Sequence, residues 1–90
     1  MARVVFTANL KQYTGGVTET EADGNRVCDL LQDLDRKVPG IAHYVIDDRG
    51  TLREHVNVFV NGSMVRDSKT LTDAVPDGAT VHILQALSGG

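Results

Sequence analysis

The sequence of 90 residues predicts an α+β domain in which a single main helix packs on one face of one mixed sheet. Residues 2–10 and 55–61 alternate apolar and polar side chains with the two-residue period of a strand. Residues 27–38 place their apolar side chains at helical spacing instead. Because 90 residues suffice for one domain and not for two, the helix and the strands must share a single core.

The first two strands are predicted to form an N-terminal hairpin. In residues 2–10, Val4 and Phe6 fall on one face of the strand, and the residues that alternate with them fall on the other. Gly15-Gly16 marks a turn, and residues 17–22 alternate again. The glutamates of this second run are typical of an edge strand, where charges discourage stray pairing.

The main helix follows Asp23-Gly24-Asn25, three residues that are all suitable N-caps. Its apolar stripe consists of Val27, Leu30, Leu31, Leu34 and Val38. Pro39-Gly40 predicts the end of the helix, because proline disfavours helical backbone before it and glycine favours the C-terminal cap.

The second half of the chain supplies three more strands. Residues 41–52 show no clear period, although we expect four of them to be buried: Ile41, Tyr44, Val45 and Ile46. Residues 55–61 form the strongest strand, and Asn61-Gly62 predicts a type I′ hairpin turn into a short strand that begins at Met64-Val65. Residues 71–75 predict a short helical turn or bend, and residues 79–87 predict the last strand. The element order is that of a β-grasp (ubiquitin-like) fold.

Composition and charge exclude several classes of function. The net charge of −3 has both signs interspersed, so we expect neither a nucleic-acid surface nor a membrane surface. Cys28 has no partner for an internal disulfide, which favours a reducing, cytoplasmic compartment and a structural thiol. The histidines at 43, 55 and 82 lack ligand spacing, so we expect no metal site. We expect no bound cofactor either.

The end of the sequence carries the functional signal. We expect residues 1–87 to form the domain and residues 88–90 to form a flexible tail that ends in Gly89-Gly90. Two residues without side chains fit a channel that is too narrow for any other residue type. A carboxylate is a poor electrophile, but its mixed anhydride with adenylate is open to attack by a sulfur nucleophile. The reactive group is then the main-chain terminus, which needs no catalytic side chain.

The sequence resembles the MoaD/ThiS family of ubiquitin-like sulfur carriers. The resemblance rests on Val56–Val60 with Asn61-Gly62, on Met64-Val65, on Pro76-Asp77-Gly78, on residues 80–84 and on Gly89-Gly90. It implies that an activating enzyme uses ATP to adenylate Gly90, that a sulfur donor converts the adenylate to a thiocarboxylate, and that Gly89 fits the enzyme's channel. The loops at residues 13–16 and 39–53 resemble most closely the branch that serves cysteine biosynthesis.

A docking face for the partner enzymes is predicted on the side of the sheet away from the helix. Phe59, Met64 and Leu84 project there, and the resemblance implies that an apolar patch of this kind binds the activating enzyme and the acceptor synthase. Leu87 and Ser88 join the strand to the glycines and count as partner-binding residues. Arg53 and Arg66 are candidates for a polar rim, although charged surface residues are more often simply solvated.

Several functions remain open at this point. The leading hypothesis is a sulfur carrier that acts as a protein co-substrate rather than as an enzyme. The favoured acceptor synthase is cysteine synthase-like. Alternatively, the acceptor is the large subunit of molybdopterin synthase, and this chain is then the small subunit of that enzyme. Another sulfur-transfer pathway is a further alternative. From another class, a ubiquitin-like protein modifier and a plain β-grasp binding module are the competing hypotheses.

Overall fold

The computed structural model of the chain describes residues 1–7, 10 and 14–85. In chain order the elements are β1 (Ala2–Phe6), β2 (Glu19–Ala22), α1 (Val27–Lys37), α2 (Ile41–Val45), β3 (Val56–Val60), β4 (Ser63–Met64) and β5 (Thr80–Gln85). The five strands form one sheet in the order β2-β1-β5-β3-β4. β1 and β5 run parallel, and the other neighbouring strands run antiparallel. This arrangement confirms the predicted mixed sheet with its main helix on one face.

The N-terminal hairpin is confirmed, but both of its strands are shorter than the sequence pattern suggests. Ala2 pairs with Ala22 and Val5 pairs with Glu19. β1 ends at Phe6, the Leu10 amide donates to the Thr7 carbonyl at 3.0 Å, and the Leu10 side chain is buried in the core. The second strand likewise starts at residue 19 rather than at residue 17.

The predicted apolar stripe of α1 packs against the inner face of the sheet. All five stripe residues are buried, together with the inward-facing strand residues Val4, Val58, Val81 and Ile83. Complete burial of a large aliphatic side chain contributes about 1.5–3 kcal/mol, so this one layer provides most of the driving force for folding.

The start of α1 differs from the prediction. The N-cap is Arg26, and it makes no side-chain capping bond. The first amides of the helix are satisfied instead by a distant loop: Val27 donates to the Asp73 carbonyl at 3.0 Å and Cys28 donates to the Leu71 carbonyl at 2.9 Å. Asp23-Gly24-Asn25 was therefore the wrong capping segment, because carbonyls more than 40 residues away in sequence satisfy the amides.

Residues 71–75 do not form the predicted helical turn. Leu71 has a positive φ of 55°, and Ala74 forms an antiparallel bridge with Arg26. The Val75 amide donates to the Asn25 carbonyl at 2.8 Å. The segment is held in an extended form by its pairing with the start of α1.

The main helix ends at Lys37 with Val38 as its C-cap, and a second helix, α2, that the sequence did not predict has Gly40 as its N-cap. The φ of Gly40 is 93°, a left-handed conformation that favours glycine. The Asp35 carboxylate accepts hydrogen bonds from the amides of Gly40 at 3.0 Å and Ala42 at 3.1 Å. Ile41 and Val45 are fully buried as predicted, whereas Tyr44 and Ile46 are half-buried.

The hairpin between β3 and β4 turns as predicted. Asn61 and Gly62 have φ values of 49° and 85°, and positive φ at both central residues defines a type I′ turn. The turn sets the register in which Phe59 pairs with Met64. Across the part of the chain that the structure describes, the helices are too short and too polar to cross a bilayer.

Candidate partner-binding face

The strand registers bring the three predicted patch residues onto one face of the sheet. Phe59 pairs with Met64 on one side and with His82 on the other. Leu84 lies two residues beyond His82 on β5, and therefore on the same face. The inward-facing residues that alternate with them, such as Ile83, belong to the core beneath α1. The predicted orientation of Phe59, Met64 and Leu84 is confirmed, and we call them the apolar patch.

The apolar patch is not part of the core. Met64 is 54% exposed, and Phe59 and Leu84 are half-buried. Phe59 is therefore only partly covered by the residues that the structure describes. Large apolar groups left partly exposed beside one another are a feature of protein-binding surfaces.

Two polar residues on the same face were not singled out from the sequence. His82 lies between Val5 and Phe59, and Asn57 lies opposite Leu84. Strand alternation alone placed His82 on this face, but its neighbours depend on the pairing of three strands that are distant in sequence. Both side chains are half-buried, so they complete the surface around the apolar patch.

The other half of the open face, on β1 and β2, is charged. The Arg3 guanidinium donates two hydrogen bonds to the Glu19 carboxylate, both at 2.7 Å. These hydrogen bonds lower the pKa of Glu19, although both side chains are about half exposed. Because the pair is exposed, it contributes little to stability. It gives the apolar patch a polar border on one side.

The loop that follows Met64 is held by hydrogen bonds to β3 and within itself. The Val65 side chain is buried, and its amide donates to the Val58 carbonyl at 2.9 Å. Asp67 then accepts hydrogen bonds from the hydroxyls of Thr70 and Thr72, and these bonds hold the pKa of Asp67 well below its usual range.

The two arginines suggested as a polar rim do lie beside Met64. Arg53 and Arg66 line, with Met64 and Asn57, a shallow recess of about 280 Å³. The backbone of Arg66 is fixed, since its amide donates to the Asp73 carboxylate at 3.0 Å. The placement of the arginines next to the apolar patch agrees with the rim prediction, and their role stays a prediction.

The central strand β5 leads toward the glycine pair at the end of the sequence. The Met1 carbonyl accepts a hydrogen bond from Gly78, just before β5, so the start of the chain and Gln85 lie at opposite ends of the sheet. Leu87, Ser88, Gly89 and Gly90 lie outside the described residues, as does the predicted extension of the last strand to residue 87.

The remaining candidates do not come together as a chemical site. His82 lies on the open face, whereas His43 and His55 line a recess at one end of the sheet. Residues 1–7, 10 and 14–85 contain no group of three or more metal-ligating side chains. Cys28 is half-buried beside the core.

The fold and its open face define a β-grasp protein with one apolar patch and a C-terminal strand at the centre of the sheet. A family model described as "ThiS family" matches residues 4–90. The chain belongs to the ThiS family.

Individual relatives agree with this assignment. The sulfur carrier protein CysO of Mycobacterium tuberculosis is 36% identical over 83 residues, which cover 90% of this chain and 89% of the relative. The small archaeal modifier protein 3 of Haloferax volcanii is 34% identical over 68 residues, covering 76% and 73% of the two chains. A chain in the crystal structure of the Amycolatopsis orientalis BexX/CysO complex superposes with a TM-score of 0.87 at 33% identity, with complete coverage of both chains.

Proposed function

We propose that this protein is a sulfur carrier whose Gly90 carboxylate is converted to a thiocarboxylate for a biosynthetic pathway, with cysteine biosynthesis favoured. The observation that carries the proposal is the family match over residues 4–90, which includes the glycine pair at the end of the sequence. The likeness to sulfur carrier proteins named CysO supports it.

The chemistry proceeds in two steps on the main-chain terminus. A Gly90 carboxylate oxygen attacks the α-phosphate of ATP in the activating enzyme, and pyrophosphate leaves. Hydrosulfide from a sulfur donor then attacks the carbonyl carbon of the mixed anhydride, AMP leaves with one of the original carboxylate oxygens, and the thiocarboxylate remains. The protein holds no cofactor in this scheme and is a co-substrate rather than a catalyst. Gly89 passes through the narrow part of the enzyme's channel because it has no side chain.

The apolar patch supplies the binding energy that brings the tail to the enzyme. Phe59, Met64 and Leu84 would be covered by the activating enzyme and later by the acceptor synthase, with Leu87 and Ser88 leading into the channel. Large side chains near the centre of an interface contribute most of its binding energy. A tail attached to such a patch reacts as if it were at high local concentration.

The proposal is tested by measuring ATP-dependent release of pyrophosphate with a purified ThiS-family activating enzyme. The wild-type protein should support release, and a variant lacking Gly90 should not. Both should unfold at the same temperature, since a terminal residue makes few contacts. Equal release from both proteins would contradict the role of Gly90.

A protein modifier is a second candidate, because a relative of this chain is named a modifier protein. It shares the adenylation step but transfers the glycyl group to an amine. The sulfur-carrier function is preferred because the CysO relative matches a larger share of the chain. Covalent adducts on immunoblots of cells, lost on deletion of Gly90, would favour the modifier.

A further inference from the structure

A recess of about 310 Å³ opens at the end of the sheet where β5 finishes. It lies between α2 and the strand ends, and it is lined by His43, Tyr44, Arg53, His55, Val56 and Gln85. We call it the tail-root recess, because Gln85 is the last described residue before the glycines. Gly90 lies five residues beyond Gln85, a reach of at most about 18 Å.

The tail-root recess has an apolar floor and a basic rim. Val56 is buried and Tyr44 is half-buried, whereas His43, Arg53 and His55 are exposed. The Arg53 Nε donates to the His43 carbonyl at 2.8 Å, which anchors the guanidinium and leaves its two terminal nitrogens as donors. Such a fixed, planar donor group suits a carboxylate.

Two acidic residues, Asp47 and Glu54, lie near this rim but do not line the tail-root recess. The pKa of Asp47 is lowered mainly by hydrogen bonds from the Thr51 and Arg49 amides, with nearby arginines adding to the effect. The Asp47 carboxylate is therefore already engaged by its own loop. Glu54 follows Arg53 in sequence and is exposed, but it does not line the tail-root recess.

The opposite end of the sheet is acidic, whereas the residues that line the tail-root recess include an arginine and no carboxylate. At the acidic end, a recess of about 490 Å³ is lined by Asp23, Asp29 and Asp77 around the Met1 amine. The whole chain carries a net charge of −3, so the basic rim at the end of β5 stands out against an acidic protein. A partner that approaches the tail with acidic groups is attracted to this end and repelled from the other.

The tail-root recess is continuous with the predicted docking face. Arg53 and Val56 line it and also line the shallow recess beside Met64. An enzyme that contacts the Met64 side of the apolar patch and receives the tail therefore has Arg53 within reach. The apolar patch, the shallow recess beside Met64 and the tail-root recess therefore form one continuous surface around the end of the sheet.

We propose that the tail-root recess binds an acidic segment of the activating enzyme at the mouth of its channel, with one apolar side chain of that segment on Val56 and Tyr44 and a carboxylate on Arg53. The inference rests on the proposed function and names the chemistry of its partner. The contact positions the tail before adenylation, so it acts on the binding of the carrier and not on the chemical step.

The test compares three variants in the pyrophosphate-release assay with the activating enzyme. Arg53→Gln should raise the KM for the carrier about tenfold with kcat unchanged, and Arg53→Glu should raise it about a hundredfold. Arg36→Gln is the matched control, because Arg36 is an 82% exposed arginine on α1 that lines neither recess. Its KM should stay within twofold. The effect of Arg53→Gln should shrink as salt is added.

Each outcome decides between the alternatives. Equal KM values for Arg53→Gln and Arg36→Gln, or a loss confined to kcat, would overturn the inference while leaving the proposed function intact. If the wild-type protein itself releases no pyrophosphate, the proposed function fails instead. Should Arg53→Gln lower the unfolding temperature, Arg53→Lys keeps the charge and must recover most of the binding. Self-association through the tail-root recess in sizing experiments would also overturn the inference.

Discussion

Two neighbouring residues of β5 allow the division between core and docking face to be tested by matched truncations. Ile83 is fully buried beneath α1, and Leu84 is half-buried on the open face. Truncating a buried isoleucine to alanine removes its burial energy and leaves a cavity, at a cost of about 2–5 kcal/mol. Truncating a half-buried leucine on an open face leaves no closed cavity and should cost about 1 kcal/mol.

These free energies translate into well-separated melting temperatures. An unfolding entropy of about 2.1 cal/mol/K per residue gives roughly 190 cal/mol/K for this chain, so each kcal/mol shifts the Tm by about 5 °C. We expect Ile83→Ala to lower the Tm by about 18 °C and Leu84→Ala by about 5 °C. Thermal unfolding followed by circular dichroism measures both.

The functional effects should run in the opposite order. Leu84→Glu should remain folded and raise the KM for the carrier about tenfold in the pyrophosphate-release assay, because it places a charge within the apolar patch. Ile83→Ala, assayed well below its melting temperature, should keep a KM close to that of the wild type. If Leu84→Glu is unfolded while Ile83→Ala is stable, the two faces of β5 have been assigned the wrong way round.

Three further predictions test the loops and the thiol. Asp67→Asn should lower the urea midpoint at pH 7, because a carboxylate with a depressed pKa stabilises the fold above its unfolded pKa. The deficit should begin to shrink as the pH falls below about 4 and should vanish only when the carboxylate of the folded protein is protonated; a deficit that is constant with pH would contradict this. Gly62→Ala should lower the free energy of unfolding by about 1 kcal/mol, because the residue has a positive φ and no close neighbour. Gly24→Ala should lower it several times more, because a Cβ there would meet the backbone of Leu30. Equal urea midpoints for the two variants would refute the contrast. Cys28→Ser should leave pyrophosphate release unchanged, and a loss of release in a folded variant would assign the thiol a role in activation.

The sequence predicted those elements whose signals are local. The apolar stripe of α1 and the alternation of β3 each need fewer than a dozen residues, and Asn61-Gly62 specifies its turn by the backbone conformations it favours. The same alternation placed Phe59 and Leu84 on the open face.

The features that were missed depend on contacts between distant segments. α1 begins at Val27, after the N-cap Arg26, because carbonyls of Leu71 and Asp73 accept the first amides of the helix, and the same pairing holds that loop beside the helix start. α2 has only five residues, too few for a periodic pattern. The tail-root recess lies between α2 and the ends of β3 and β5, so the position of Arg53 in it depends on the tertiary fold.

The central claim is that sulfur is carried on the main-chain carboxyl of Gly90. The most direct measurement is the intact mass of the protein after incubation with the activating enzyme, ATP and a sulfur source, followed by fragmentation to locate the change. We expect a gain of about 16 Da on Gly90, where one sulfur replaces one oxygen, rather than the gain of about 32 Da of a persulfide on Cys28. An unchanged mass, or a gain that persists without Gly90 and vanishes in Cys28→Ser, would contradict the account.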